Sequence, residues 1–133
     1  RPDTITLDEI KRMRRFGCTR IQLGVQHTNN EILKKCNRGH SVSSAIKAIK
    51  LLKDNGYKID IHLMPNLHGS SPEIDYQMFI DVLNNPELQV DQWKIYPCSV
   101  VPWSKFEEMY KSGEYKPYPD NELLKLILEY LIV

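Results

Sequence analysis

Along residues 20–26 apolar and polar side chains alternate, Arg20-Ile21-Gln22-Leu23-Gly24-Val25-Gln26, and a period of two predicts a β-strand. The alternation returns from Lys58 to Met64, and a shorter version spans Gln92 to Tyr96. Between these stretches the apolar spacing changes to that of helices. Leu7, Ile10 and Met13 predict the inner face of a first helix, opened by the capping box Thr6-Leu7-Asp8-Glu9 and stopped by Gly17. A second box, Thr28-Asn29-Asn30-Glu31, predicts a short helix towards Cys36. After the turn Asn37-Arg38-Gly39-His40, Ser41 caps a longer helix with Val42, Ala45, Ile46, Ile49 and Leu52 as its buried stripe, ending at Asn55-Gly56. Ser70-Ser71-Pro72-Glu73 opens another with Phe79, Val82 and Leu83 inward. Ser104-Lys105-Phe106-Glu107 caps the next, and Pro117-Tyr118-Pro119-Asp120 leads into the last.

Strands separated by helices of this length imply right-handed βαβ crossovers and a parallel sheet. The expected class is therefore α/β, a whole or partial (βα) barrel, with a doubly wound open sheet as the alternative. Either fold takes more strands than these. The chain opens on the polar Arg1-Pro2-Asp3 and ends in the apolar run from Leu123 to Val133 without a capping Gly or Asn. The expectation is that residues 1–133 form a single domain fragment, the C-terminal part of a barrel that lacks its N-terminal strands.

Strands of parallel sheets normally read as continuous apolar runs, because both faces are covered. Here only one face is apolar: Ile21, Leu23 and Val25, then Ile59, Ile61 and Leu63, then Trp93 and Ile95. The other carries Gln22, Gly24 and Gln26, then Asp60, His62 and Met64, then Lys94 and Tyr96. A packed barrel interior holds branched aliphatics. Amides, a carboxylate, an imidazole and an ammonium group instead predict a wet, ligand-holding cavity. Its binding groups belong at the carboxyl ends of the strands: Gln26, Met64 to Asn66, and Tyr96 to Cys98. A two-layered sheet with one solvated face would show the same alternation. Crossover helices that cover both faces favour the cavity.

Composition narrows the setting little. The 18 Lys and Arg against 17 Asp and Glu leave a net charge of +1, so any nucleic-acid contact must come from a local patch. Such a cluster, Lys11, Arg12, Arg14 and Arg15, crowds the end of the first helix, where cations also offset the helix dipole. Cys18, Cys36 and Cys98 form neither a CxxC pair nor a disulfide framework, which suits a reducing intracellular compartment. Cys36 and His40 are spaced as two metal ligands could be, but no second pair accompanies them and no metal ligand is assigned. No apolar stretch is long enough to cross a bilayer.

At the strand ends the residues become specific. Gly17-Cys18-Thr19-Arg20, Leu23-Gly24-Val25-Gln26, Asn37-Arg38-Gly39-His40, His62-Leu63-Met64-Pro65, Lys94-Ile95-Tyr96-Pro97 and Lys111-Ser112-Gly113-Glu114-Tyr115-Lys116-Pro117-Tyr118 occur in order over nearly the whole chain. With Arg1-Pro2-Asp3, this ordered set resembles the radical S-adenosylmethionine (SAM) domain of the catalytic subunits of Elongator. The resemblance implies a partial βα barrel of radical SAM type, an iron–sulfur cluster, and a following acetyltransferase-like domain that uses acetyl-CoA. The implied activity is carboxymethylation of the wobble uridine of tRNA. SAM cleavage yields a deoxyadenosyl radical that takes hydrogen from the acetyl group of acetyl-CoA, and the carbon radical adds to the base. Implied partners are tRNA and Elongator-type subunits, with no membrane. The implied location is the cytoplasm, with the nucleus as a second compartment in a eukaryotic cell.

Carried onto this chain, the resemblance places Gln26 against the ribose or methionine part of SAM, with His62 nearby and Met64 and Pro65 walling the adenine. Lys94 and Tyr96 face the cavity as the catalytic candidates. Arg38 and His40 lie in a loop on the same rim, as candidates for RNA or cofactor phosphates. The cluster-binding cysteine motif of the family is absent from residues 1–133, so the cluster's ligands are expected outside this stretch, and the fragment itself is not expected to be catalytic. His27 stands where a small hydroxyl residue is usual, Asn66 where Asp is common, and Pro97 to Ser104 departs from the commoner stretch. Two competing readings are a radical SAM enzyme with another substrate and a non-catalytic RNA-binding or scaffold remnant of such a barrel.

Overall fold

The computed structural model describes residues 1–131. After a single 3₁₀ turn at Pro2–Thr4, helices and strands follow in the order α1 (Leu7–Arg15), β1 (Arg20–Gln26), α2 (Asn30–Lys35), α3 (Val42–Asp54), β2 (Lys58–Leu63), α4 (Pro72–Asn84), β3 (Gln92–Ile95), α5 (Lys105–Ser112) and α6 (Asp120–Leu131). The strands form one parallel sheet in the order β1-β2-β3. Chain order and neighbour order agree throughout, as in an arc of a barrel or within one half of a doubly wound sheet. The last helix extends into the apolar run, whose residues 132 and 133 lie outside the described region.

One face of the sheet is closed by helices. Leu23, Val25, Ile59, Ile61 and Leu63 pack with Ile10 of α1, with Ala45, Ile49 and Leu52 of α3, with Met78, Phe79 and Val82 of α4, and with Leu126 and Tyr130 of α6. Phe79 stacks on Tyr130 with ring centroids 4.0 Å apart. A fully buried aliphatic or aromatic side chain of this kind contributes roughly 1.5–3 kcal/mol, so this layer carries most of the folding energy. A smaller cluster (Ile32, Leu67, Cys98 and Tyr115, with Met64 and Cys36 against it) sits beyond the carboxyl ends of the strands.

Three local expectations are corrected. Leu7 is the first residue of α1 and is 54% exposed, because the helix meets the core only from its second turn, at Ile10. The cap of α2 is Asn29, whose Oδ1 accepts from the amides of Glu31 and Ile32; Thr28 instead donates its hydroxyl to Asp81 at 2.7 Å. In α1, Thr6 accepts from the Glu9 amide, but the Glu9 carboxylate turns to Arg12 rather than back to the cap. Arginine offers a charge-assisted bond, and that outcompetes the backbone amide.

Candidate functional site

Register fixes which side chains share the polar face. Gln22 pairs with Asp60 and Asp60 with Gln92, and one step further along His62 pairs with Lys94. The first row is stitched together: Arg20 Nη1 lies 3.3 Å from Asp60 Oδ2 and 2.9 Å from Gln92 Oε1, and Gln22 Nε2 donates to the same carboxylate oxygen at 3.4 Å. Asp60 is fully buried, so its charge is held by that neighbouring cation. The second row, His62 and Lys94, is half-buried. Burial, and then the Lys94 ammonium, push the His62 imidazole below its usual range, with Asp60 opposing.

The strands do not stop at their last regular residue. Met64 N–H donates to Gln26 O and Tyr96 N–H to Leu63 O, both at 2.8 Å, so the ladder runs on into the loops. The register slips between Leu23 and Gln26, and Gln26 takes a positive φ of 72°. His27 N–H bonds back to Val25 O at 2.9 Å, closing a three-residue turn around Gln26. The effect is to fold the Gln26 side chain back over Gly24. A methyl group on Gly24 would stand 2.7 Å from Gln26 Nε2 and 3.8 Å from Arg38 Nη2. Glycine leaves the space that the amide occupies, with the guanidinium alongside.

Of the residues expected at the site, Gln26, Arg38, His62, Lys94 and Tyr96 are thus gathered on or beside one face. The His62 and Tyr96 rings lie 5.3 Å apart. Met64 turns into the smaller apolar cluster, and Pro65 is buried with its carbonyl accepting from Cys98 N–H at 2.8 Å. His40 faces inward: Nε2 lies 3.0 Å from Val25 O and Nδ1 3.3 Å from Arg38 O, so the ring ties the α2–α3 loop to the end of β1. Among the described residues no group of three His, Cys, Asp or Glu side chains could hold a metal ion.

Several buried polar atoms on or beside this face have no partner among the described residues: Gln26 Oε1, Arg38 Nε, His62 Nε2 and Asp60 Oδ1. Such atoms are costly unless something bonds them. An amide oxygen that accepts, a guanidinium N–H that donates and an imidazole nitrogen form a hydrogen-bonding set suited to a zwitterionic, hydroxyl-bearing ligand such as SAM. On this test the residues present fit that cofactor.

Sequence reasoning missed a second polar group just behind the strand ends. Asp75 of α4 is fully buried and receives the His27 ring, the Ser70 hydroxyl, the Asn66 amide and the Tyr118 hydroxyl. Tyr115 donates to Asn66 O at 2.7 Å, and Tyr118 N–H to Asn66 Oδ1 at 2.9 Å. Burial, first of all, raises the hydroxyl pKa of both tyrosines far above the usual range, which keeps them donors. The one signal in the sequence was the pair of unusual residues, His27 and Asn66, at successive strand ends.

Comparison with known proteins bears on the fold and the family. Residues 1–78 match the radical SAM superfamily and residues 90–133 the radical SAM C-terminal domain. A tRNA uridine(34) acetyltransferase of Methanocaldococcus infernus is 50% identical over 127 residues, covering 96% of this chain and 24% of that protein. Elongator complex protein 3 of Saccharomyces cerevisiae is 37% identical over 131 residues, covering 98% of this chain and 24% of that protein. The chain therefore spans about a quarter of the length of these relatives. Among solved structures, the archaeal Methanocaldococcus infernus Elp3 with an N-terminal deletion superimposes with a TM-score of 0.90 at 49% identity, over 95% of this chain and 30% of that one. Coproporphyrinogen III oxidase of Escherichia coli, a radical SAM enzyme, shares the fold with a TM-score of 0.77 at 21% identity, over 98% of this chain and 30% of that one. With its parallel sheet, its polar inner face and these matches, the chain belongs to the radical SAM superfamily.

Proposed function

We propose that this chain is the SAM-holding part of the barrel in an Elongator-type enzyme that carboxymethylates the wobble uridine of tRNA, drawing the added group from acetyl-CoA. The observation that carries the reading is the set of buried polar atoms on or beside the inner face without a partner among the described residues: Gln26 Oε1, Arg38 Nε and His62 Nε2. Gln26 would bond the ribose or the amino-acid part of SAM, His62 a neighbouring polar group, and Met64 and Pro65 would flank the adenine. Arg38, drawn in beside Gly24, suits an anionic group of the cofactor better than RNA on the outer rim. The half-buried Lys94 ammonium would neutralise a second anion, next to Tyr96.

Bound together, SAM and a reduced iron–sulfur cluster supply one-electron chemistry; the cluster's ligands and the acetyl-CoA site would come from parts of the protein outside residues 1–133. The chain's own residues bind, orient and exclude water. In this reading residues 1–133 are one domain fragment, tRNA is the substrate, and further Elongator-type subunits and an intracellular site follow. No helix of the described residues is long and apolar enough to cross a membrane. The test is a SAM titration of the full-length protein with its cluster reconstituted. Gln26→Ala should weaken SAM binding about tenfold with cluster absorbance unchanged. Unaltered affinity would remove Gln26 from the site. A full-length protein that binds tRNA but neither SAM nor a cluster would be a non-catalytic RNA-binding module instead.

A further inference from the structure

Asp75 sits one turn into α4, and its side-chain hydrogen bonds among the described residues go to loops and not to the polar face of the sheet. Its two oxygens are nevertheless saturated. Oδ1 accepts from Ser70 Oγ at 2.5 Å and from His27 Nε2 at 3.0 Å; Oδ2 accepts from Asn66 N–H at 2.6 Å and from Tyr118 Oη at 2.9 Å. The direction at His27 follows from its other nitrogen: Nδ1 accepts from Asn29 N–H at 2.9 Å, which puts the ring proton on Nε2. The donors come from three separate loops, after β1, after β2, and between α5 and α6. Asn66 adds a fourth by donating its Nδ2 to Cys98 O at 3.2 Å, beyond β3. The loops that directly follow β1, β2 and β3 are each bonded to this carboxylate, directly or through Asn66.

Non-glycine residues in the left-handed region stand at the end of β1 and in the loop after β2. Gln26 has φ 72° and Asn66 φ 68°. Such conformations persist only where the surroundings over-determine them. Asn66 is itself bonded to Asp75, and Gln26 is followed directly by His27, which is also bonded to it. One buried carboxylate therefore restrains both turns. Gln26 owes its return over Gly24 to the first, and Met64 with Pro65 lead into the second.

We propose that Asp75 is a positioning residue for the cofactor site, setting Gln26 through His27 and the Met64–Asn66 wall through the Asn66 amide. It touches no cofactor. Its effect on affinity rests on the SAM reading above, whereas its effect on the two loops does not.

The experiment compares full-length wild type with Asp75→Asn and Tyr118→Phe by amide hydrogen exchange and by SAM titration. Asparagine keeps the size of the side chain but turns two of its acceptor positions into N–H donors facing other donors. Asp75→Asn should accelerate exchange at residues 27–29 and 66–68 together, while amides 78–82 inside α4 keep their protection. It should raise the Kd for SAM about tenfold. Tyr118→Phe removes one donor of four and should shift the same amides and the same Kd in the same direction by about threefold; it also decides the matter if Asp75→Asn does not fold. Unchanged exchange in both loops overturns the proposal whether or not the protein binds SAM. A lower Tm with an unchanged Kd overturns it too, because Asp75 would then stabilise the fold without shaping the site. A wild type that fails to bind SAM defeats the cofactor reading instead, and the exchange comparison still decides the role of Asp75.

Discussion

The side-chain amide of Gln26 occupies the space that a Cβ on Gly24 would fill: the two would be 2.7 Å apart. Gly24 has an ordinary backbone conformation, since it is not among the residues of positive φ. Its lack of a side chain matters only for what lies above it. In Gly24→Ala the flexible amide of Gln26 can swing away, so the fold should survive with Tm lowered by only a few degrees, which corresponds to about 1 kcal/mol. The site should not survive intact. SAM affinity is expected to fall about tenfold, measured by titration beside thermal denaturation. Full affinity in Gly24→Ala would mean that the amide binds nothing where it lies.

Arg38 is placed to answer a different question. If its guanidinium serves an anionic group of the cofactor, Arg38→Met should raise the Kd for SAM and leave the salt dependence of tRNA binding unchanged. A log–log salt slope shallower by about one unit would return Arg38 to the RNA-contacting rim.

His62 gives a pH signature. Burial and Lys94 together lower its pKa, and Asp60 opposes them. Its imidazole titration, followed by NMR, should therefore have its midpoint below that of a histidine in an unfolded chain. Lys94→Met should raise that midpoint and Asp60→Asn should lower it. The sign for stability follows. With the folded pKa below the unfolded one, the unfolded chain takes up the proton first, so stability falls as pH drops through the usual imidazole range. It levels off once pH is below the folded value. A midpoint above that of the unfolded chain would contradict the buried, cation-flanked placement.

The helical layer can be tested at Phe79, which is fully buried and stacked on Tyr130. Phe79→Ala should cost about 3–5 kcal/mol in denaturant unfolding of the full-length protein, by lost transfer energy and by the cavity left behind. Phe79→Leu should cost less. A loss below about 1 kcal/mol would mean that α6 does not hold its place over α4.

Much of this architecture is readable from short stretches of chain. Periods of two and of three to four residues are set by strand and helix geometry, and caps such as Ser41 and Ser71 bond amides only three residues away. The strands, the helices and the alternation that makes one face polar all follow from that local chemistry. The exceptions come from contacts made at a distance along the chain. Thr28 and Asn29 are both good caps, and the contest went to Asn29 because Asp81, 53 residues from Thr28, takes the threonine hydroxyl. Leu7 fits the apolar period of α1 but lies outside the part of the helix that meets the sheet.

By itself, then, the sequence determined the elements, their parallel arrangement, the polar inner face and the family the chain resembles, since each is written in neighbouring residues or in ordered short motifs. Tertiary structure alone decided the backward fold of Gln26 over Gly24, the inward turn of Arg38, and the gathering of His27 and Tyr118 on Asp75. Those last contacts join residues 48 and 43 positions apart. No local period encodes them. They form because a carboxylate buried by the packing of α4 must find donors wherever the surrounding loops can bring them.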